Sequence, residues 1–298
     1  MSQLIAFHQL TKRYGAVQAL DGLTAEVSPG RITAFLGANG SGRTTSMRLL
    51  LGLAEPTAGS ATIAGRPYRE LVHPTRTIGA VLDQGFHPNR NARNHLRIVA
   101  AQAGVPKSRI EGVLDVVGLT DAAGRRVGGY SLGMRQRLAL AAALVPEPTV
   151  LVLDEPFNGL DPHGIQIMRD FLRRFTDDGG TVFLSSHLLA EVAHSADDAI
   201  IIDHGRLVSA GPIAGLLTTN PTVVVTTPDA ELLAVALEHR GATVTRHGRE
   251  EIAVADVTRE VIGRAALDVG AVVVDMHAHG DVLETIFQSL IHPQETAS

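Results

Sequence analysis

Residues 32–44 read ITAFLGANGSGRT, and this stretch decides the fold. Its first five residues, 32–36, form a short apolar run that reads as a strand. The run enters a turn with Gly37, Gly40 and Gly42, after which 46–53 reads as a helix. Glycines let such a turn fold into a concave nest of converging N–H groups, and the helix behind it adds the positive end of its dipole. Phosphate is the ligand that suits a strand, nest and helix in that order. Gly37, Asn39, Gly40, Ser41, Gly42, Arg43, Thr44 and Thr45 are therefore candidate binding residues, and the Thr44 hydroxyl is a candidate Mg2+ ligand. The lysine expected of such a loop is replaced by Arg43. Taken alone, a glycine-rich turn could also be a tight loop without a ligand.

A second stretch bears on that choice. Residues 150–153 are another continuous apolar run, and they end in Asp154-Glu155. Ligands of parallel sheets collect at the carboxyl ends of strands. An aspartate there can join a Mg2+ shell, and a glutamate can orient and deprotonate a water. Capping of the next helix is the competing role for the pair. Asp161-Pro162 then supplies an N-cap and a first-turn proline, Ile165, Met168, Leu172 and Phe175 follow at helical spacing, and Gly179-Gly180 ends the helix. Residues 181–185 and 199–203 are further strand candidates.

Strand and helix patterns alternate to about residue 218, which indicates an α/β fold with a parallel sheet. Residues 85–149 differ. They are mostly helical, broken by Pro88, Pro106, Gly118 and Gly128-Gly129, and read as a helical insertion in the α/β core. A second boundary is expected near 218–221. Beyond it, 222–226, 232–239, 242–245, 252–254, 261–267 and 271–274 run in the order β-α-β-β-α-β, with a helix near 283–291. That order predicts a small α+β domain of split βαβ type over 222–298.

The composition narrows the function classes. A chain of 298 residues with 45% hydrophobic and 19% charged residues has material for about two globular domains rather than a disordered chain. Lys and Arg number 26 against 31 Asp and Glu, a net charge of −5 with no basic surplus for a phosphodiester backbone, so no nucleic-acid partner is expected. The absence of cysteine excludes disulfides, thiol catalysis and thiolate metal sites, and it fits a cytosolic protein. Only Lys12 and Lys107 are lysines, so arginine has replaced lysine almost throughout. No apolar stretch approaches the roughly 18–20 residues of a membrane span, and MSQLIAFHQLTKRY does not read as a signal peptide. A membrane role would have to run through a partner chain.

Further motifs accumulate in order. Tyr130-Ser131-Leu132-Gly133-Met134-Arg135-Gln136 resembles the signature loop of ATP-binding cassette (ABC) proteins, in a variant form common among drug-exporter cassettes, and Ser131 lies 24 residues before Glu155. Asn158-Gly159-Leu160-Asp161 resembles the D-loop, and Ser185-Ser186-His187 resembles the switch-histidine motif. Tyr14, after Lys12-Arg13, resembles the aromatic residue that stacks on adenine. The chain thus resembles the nucleotide-binding subunit of an ABC transporter of the drug-exporter type, closely over 1–218 and without a sharp motif over 222–298.

This resemblance implies a P-loop ABC ATPase core with a helical subdomain at about 85–149, and a C-terminal accessory domain. It implies ATP and Mg2+ as cofactors and separate transmembrane permease subunits as partners. It also implies a second cassette, most simply in a homodimer, and a peripheral place on the cytoplasmic face of the membrane. Each ATP would lie between the P-loop of one cassette and Ser131, Leu132 and Gly133 of the other, near the D-loop Asp161. Glu155 would be the general base, Asp154 and Thr44 would face Mg2+, His187 would contact the γ-phosphate, and Tyr14 would stack on adenine. The implied activity is ATP hydrolysis that drives export of drug-like or lipophilic compounds.

Two departures bear on catalysis. Arg43 keeps the charge of lysine but presents a longer planar fork, so a nucleotide-gated binding module with little hydrolysis is the alternative reading. Asp83 stands in register with the Q-loop glutamine and Gln84 follows it, so both are candidate catalytic-site residues. The adjoining residues 86–90 would line the groove for the permease. His277 and His279 form an HxH pair with no third ligand evident in the sequence.

Overall fold

Residues 4–82, 85–186, 189–216, 223–255 and 257–278 are described by the computed structural model. The chain divides into two compact units, Met1–Ala210 and Gly211–Ser298. The first opens with Ile5–Tyr14 (β1) and Val17–Val27 (β2), followed by Ile32–Leu36 (β3), Arg43–Leu50 (α1), Ala58–Ile63 (β4), Pro74–Thr77 (α2) and Ile78–Val81 (β5). Three helices, Ala92–Ala103 (α3), Arg109–Val116 (α4) and Leu132–Leu144 (α5), occupy the stretch expected to be a helical insertion. Val150–Asp154 (β6), Pro162–Asp177 (α6), Thr181–Ser186 (β7), Leu189–Ser195 (α7), Asp198–Asp203 (β8) and Arg206–Pro212 (β9) complete the α/β alternation.

The central sheet has the order β5-β6-β7-β3-β8-β9, and its first five strands are parallel. A second, antiparallel sheet has the order β2-β1-β4. Phe7 of β1 and Phe35 and Phe183 of the central sheet join the two layers, with ring centroids 5.2–6.3 Å apart. All three rings are fully buried, each contributing about 1.5–3 kcal/mol of transfer free energy. Parallel strands end on one edge of a sheet. The register pairs Leu36 with Ser186 and Asp154 with Ser185, which brings the P-loop and the Asp154-Glu155 pair to the same rim.

Local signals set the helix starts. α1 begins at Arg43, three residues before the expected start, because Gly42 is its N-cap at φ 108° and turns the chain directly into the helix. Arg43, Thr44 and Thr45 therefore stand on the first turn. Asp161 caps α6 by accepting from the Gly164 N–H at 2.8 Å, and Ser131 caps α5 by accepting from the Met134 N–H at 3.2 Å. Arg137 Nη1 of α5 donates to the carbonyls of Val117 and Gly118 at 3.2 and 3.0 Å, tying α5 to the carboxyl end of α4.

In the second unit Ile213–Leu216 (α8) precedes Val223–Thr226 (β10), Ala230–Glu238 (α9), Thr243–Arg246 (β11), Glu251–Ala255 (β12), Arg259–Val269 (α10) and Asp275–Ala278 (β13). The sheet order is β11-β12-β10-β13, with every pairing antiparallel. Val223, Val225, Leu233, Leu237, Ile252, Val254 and Ile262 form its core. The sequence pattern predicts the last strand at 271–274, and the strand begins instead at Asp275. Gly270 caps α10 at φ 69°, and the Val272 N–H then bonds to Asp229 Oδ2 at 3.0 Å, so ladder pairing starts only at Thr226 and Asp275. The expected boundary at 218–221 and helix at 283–291 lie outside the described residues.

Candidate active site

The nest after β3 depends on glycine for two reasons. A Cβ on Gly37 would lie 2.3 Å from Ser41 Oγ and 2.6 Å from the Ile202 carbonyl oxygen, so the position has no room for one. Gly42 combines its left-handed φ with a would-be Cβ only 2.6 Å from the Ala19 carbonyl oxygen. The loop is braced from behind: the Gly205 N–H donates to the Ser41 carbonyl at 2.9 Å, and the Asp21 N–H donates to the Gly205 carbonyl at 2.9 Å. Gly205 sits in the two-residue turn between β8 and β9, where His204 and Gly205 both have positive φ.

No side chain caps the N-terminus of α1. Its first turn lines a cleft of about 260 Å³ together with Asn39, Gly40, Asp154 and Glu155. Ala19 of β2 also lines the cleft, a residue that sequence reasoning missed. A lone alanine carries no chemical signal, and only the packing of β2 beside the loop reveals it.

The acids face this turn. Thr44 Oγ1 donates to Asp154 Oδ2 at 2.7 Å, and Ser185 Oγ donates to Asp154 Oδ1. Arg43 Nη1 donates to Glu155 Oε1 at 2.7 Å, an ion pair in which the arginine side chain is 8% exposed and the glutamate 24%. A guanidinium so deeply buried needs an anionic partner, because an unpaired buried charge is costly. Glu155 has φ 50°, the left-handed region that residues with a Cβ rarely adopt. Its backbone is held at both ends: the N–H donates to Ser185 Oγ at 2.9 Å, and the carbonyl accepts from the Asn158 N–H at 3.1 Å and Gln136 Nε2 at 3.4 Å.

These groups fit a magnesium polyphosphate. Ser41 Oγ is buried beside the glycine nest without a hydrogen-bond partner among the described residues, and Arg43 supplies a cation. Thr44 and Asp154 present hard oxygen donors side by side, as Mg2+ requires.

The remaining candidates lie elsewhere. Ser131, Leu132, Gly133 and Asp161 do not line the cleft. They belong to two interlocked loops, since a Cβ on Gly159 would lie 2.3 Å from Leu132 Cδ2 and one on Gly133 3.0 Å from the Gly159 carbonyl oxygen. Leu132 is 52% exposed there. Tyr14 ends β1, 48% exposed, with Lys12 Nζ 4.7 Å from its ring centroid, and it does not line the cleft either. Asp83, Gln84, His187 and His279 lie outside the described residues. His277 pairs with Asp275 at 2.8 Å, and among the described residues no group of three metal-ligating side chains converges. None of the described helices is long and apolar enough to cross a membrane.

Comparison with known proteins gives the family. Residues 20–158 match the family described as ABC transporter. The bacitracin transport ATP-binding protein BcrA of Enterococcus faecalis is 40% identical over 224 residues, covering 74% of this chain and 73% of that one. The lantibiotic transport ATP-binding protein SrtF of Streptococcus pyogenes is 36% identical over 206 residues, covering 69% and 89%. A dimeric bacterial ABC transporter cassette of known structure aligns with a TM-score of 0.65 at 21% identity, over 70% of this chain and 99% of that one, and so shares the fold. With more than two thirds of both relatives matched, this chain belongs to the ABC transporter family, as an ATP-binding subunit built on the ATPase cassette fold.

Proposed function

We propose that this subunit hydrolyses Mg·ATP to power separate permease subunits that export lipophilic, drug-like compounds of the peptide-antibiotic kind. The observation that carries the hydrolytic part is the pairing of Arg43 and Thr44 with Glu155 and Asp154 across one cleft. The export assignment rests on the bacitracin and lantibiotic transport proteins among its relatives and on the variant signature loop.

In this reading Arg43 and the nest amides bind the β- and γ-phosphates, and Thr44 and Asp154 hold Mg2+, which neutralises developing phosphoryl charge when bound. Glu155 accepts a proton from a water as its oxygen bonds to the γ-phosphorus and the bridge to ADP breaks. His187 steadies that water from the γ-phosphate side, Asp83 and Gln84 flank it, and Tyr14 stacks on adenine. Ser131, Leu132 and Gly133 of a second copy close the site from above, near Asp161, so nucleotide joins two cassettes and hydrolysis parts them. The exposure of Leu132 supports such a contact, and the dimeric cassette of the same fold is consistent with it. The assembly sits peripherally at the cytoplasmic face, with the unit beyond residue 210 as an accessory domain.

The Arg43–Glu155 ion pair favours a second reading, a cassette that dimerises on ATP and turns over little. While Arg43 is paired with Oε1, the Glu155 carboxylate is a weaker base toward water than it becomes once Arg43 turns to phosphate. Steady-state phosphate release by the chain purified with its membrane partner, for wild type, Glu155→Gln and Arg43→Lys, decides between them. Turnover abolished by Glu155→Gln supports the motor. Turnover present only in Arg43→Lys supports the gated module.

A further inference from the structure

Ser185 is fully buried on β7, in register with Asp154 on one side and Phe35 on the other. Its hydroxyl bonds the carboxylate of one acid and the backbone of the next: Oγ donates to Asp154 Oδ1 and accepts from the Glu155 N–H at 2.9 Å. A serine hydroxyl has one proton and two lone pairs, so these bonds are linked. Spending the proton on the carboxylate leaves a lone pair facing the amide. The other Asp154 oxygen accepts from Thr44 at 2.7 Å, so the carboxylate is held at both oxygens and cannot swing without breaking one bond. The Glu155 N–H bond in turn secures a residue at φ 50°, a backbone that requires support wherever a Cβ is present.

We propose that Ser185 is a positioning residue for hydrolysis, a single buried hydroxyl that orients the Asp154 carboxylate and fixes the left-handed turn that presents Glu155 to the cleft. The inference rests on the roles given above to Asp154 and Glu155. Ser185 itself does not line the cleft. It acts through its two neighbours, so its removal lowers the rate of the chemical step more than the affinity for nucleotide.

The test measures phosphate release and Mg·ATP binding by the full chain with its membrane partner, for Ser185→Ala, Ser185→Thr and Ser185→Cys, with Mg2+ titrated at saturating ATP. Ser185→Ala is expected to lower kcat about 10–100-fold, the usual effect of losing a group that orients a metal ligand, with Kd for Mg·ATP little changed and a higher Mg2+ requirement. Ser185→Thr restores the hydroxyl on a residue that strands accommodate well and is expected to recover most of the rate. Should Ser185→Ala fail to fold, Ser185→Cys keeps a side chain of similar shape with a weak donor and is expected to show the same loss. Wild-type kcat in Ser185→Ala or Ser185→Cys overturns the proposal. So does an equal loss in Ser185→Ala and Ser185→Thr at an unchanged Mg2+ requirement, since bulk rather than the hydroxyl would then matter. A Glu155→Gln control separates the two levels. Turnover lost there but kept in Ser185→Ala sinks only the role of Ser185, whereas no wild-type turnover removes the hydrolytic reading and this inference with it.

Discussion

The central sheet of the first unit and the sheet of the second are of opposite kinds, and the contrast accounts for where the proposed site lies. In the first unit β3, β6 and β7 run parallel, so the residues that follow each of them meet on one rim. Arg43, Thr44, Asp154, Glu155 and Ser185 gather there from three separate stretches of sequence. In the second unit every strand pairing is antiparallel, so β10 and β11 end at one edge and β12 and β13 at the other, and no edge collects all four. Among the described residues its core cluster is a set of aliphatic side chains. Substitutions in the first unit should therefore divide activity from stability, and core substitutions in the second should move stability alone.

The largest expected effect is that of Glu155→Gln. The amide keeps an acceptor for Arg43 but not the opposing charge, so a modest loss of stability should accompany a fall in kcat of roughly 10²–10⁴-fold, the usual worth of a general base. Equal losses in phosphate release and melting temperature would show that the rim is structural and dissolve the contrast.

Next comes Leu233→Ala. Leu233 is fully buried in the core of the second unit, and its truncation should cost about 2–5 kcal/mol of local stability. Amide exchange should quicken in β10, β12 and α9 and stay slow in β3 and β6. Equal acceleration in both sets would mean that the units unfold together.

A smaller effect is expected from Asp161→Ala, which removes the N-cap of α6 at a cost of about 1 kcal/mol, readable as a lower denaturant midpoint. If ATP-dependent dimerisation also weakens beyond that loss, Asp161 serves the nucleotide interface as well as the helix.

The smallest effect concerns pH. Burial, and then the nearby Arg90, hold the His95 imidazole below its ordinary value of 6.5, and its ring meets Phe86 edge-on at 5.0 Å. The unfolded chain takes up a proton as the pH falls through that value, whereas the folded chain does so only at lower pH. Stability from this group is thus complete above about 6.5, declines below it, and levels off once the folded imidazole is also protonated. His95→Gln should flatten this part of the stability profile, and an unchanged slope between pH 7 and 5 would show that other groups govern it.

Much of the first unit is legible in the sequence because its signals are local. Apolar runs mark β3 and β6, and proline and Asp161 mark the start of α6. The acids and the signature loop are marked by short motifs whose order along the chain is itself informative. What escapes such a reading depends on register or on one backbone angle. The left-handed Gly42 moves the start of α1 to Arg43, and the loop bonds after Gly270 delay β13 to Asp275. The Ser185 hydroxyl gains its two partners only because β6 and β7 align Asp154 with Ser185, and no short motif encodes that alignment. Arg43 is visible in the sequence as an unusual residue, but its ion pair with Glu155 follows only from the fold.

The turn behind the P-loop has a mechanical consequence. Gly205 links the Ser41 carbonyl to the Asp21 amide, and Arg206 beside it forms an ion pair with Asp21. In the proposed function the loop that grips phosphate is thus bolted through β8 and β9 to β2, and a pull on the nucleotide is expected to reach the small antiparallel sheet. A Cβ at position 205 would lie 2.7 Å from Leu20 Cα, so even the smallest side chain there would push the bolt out of its seat.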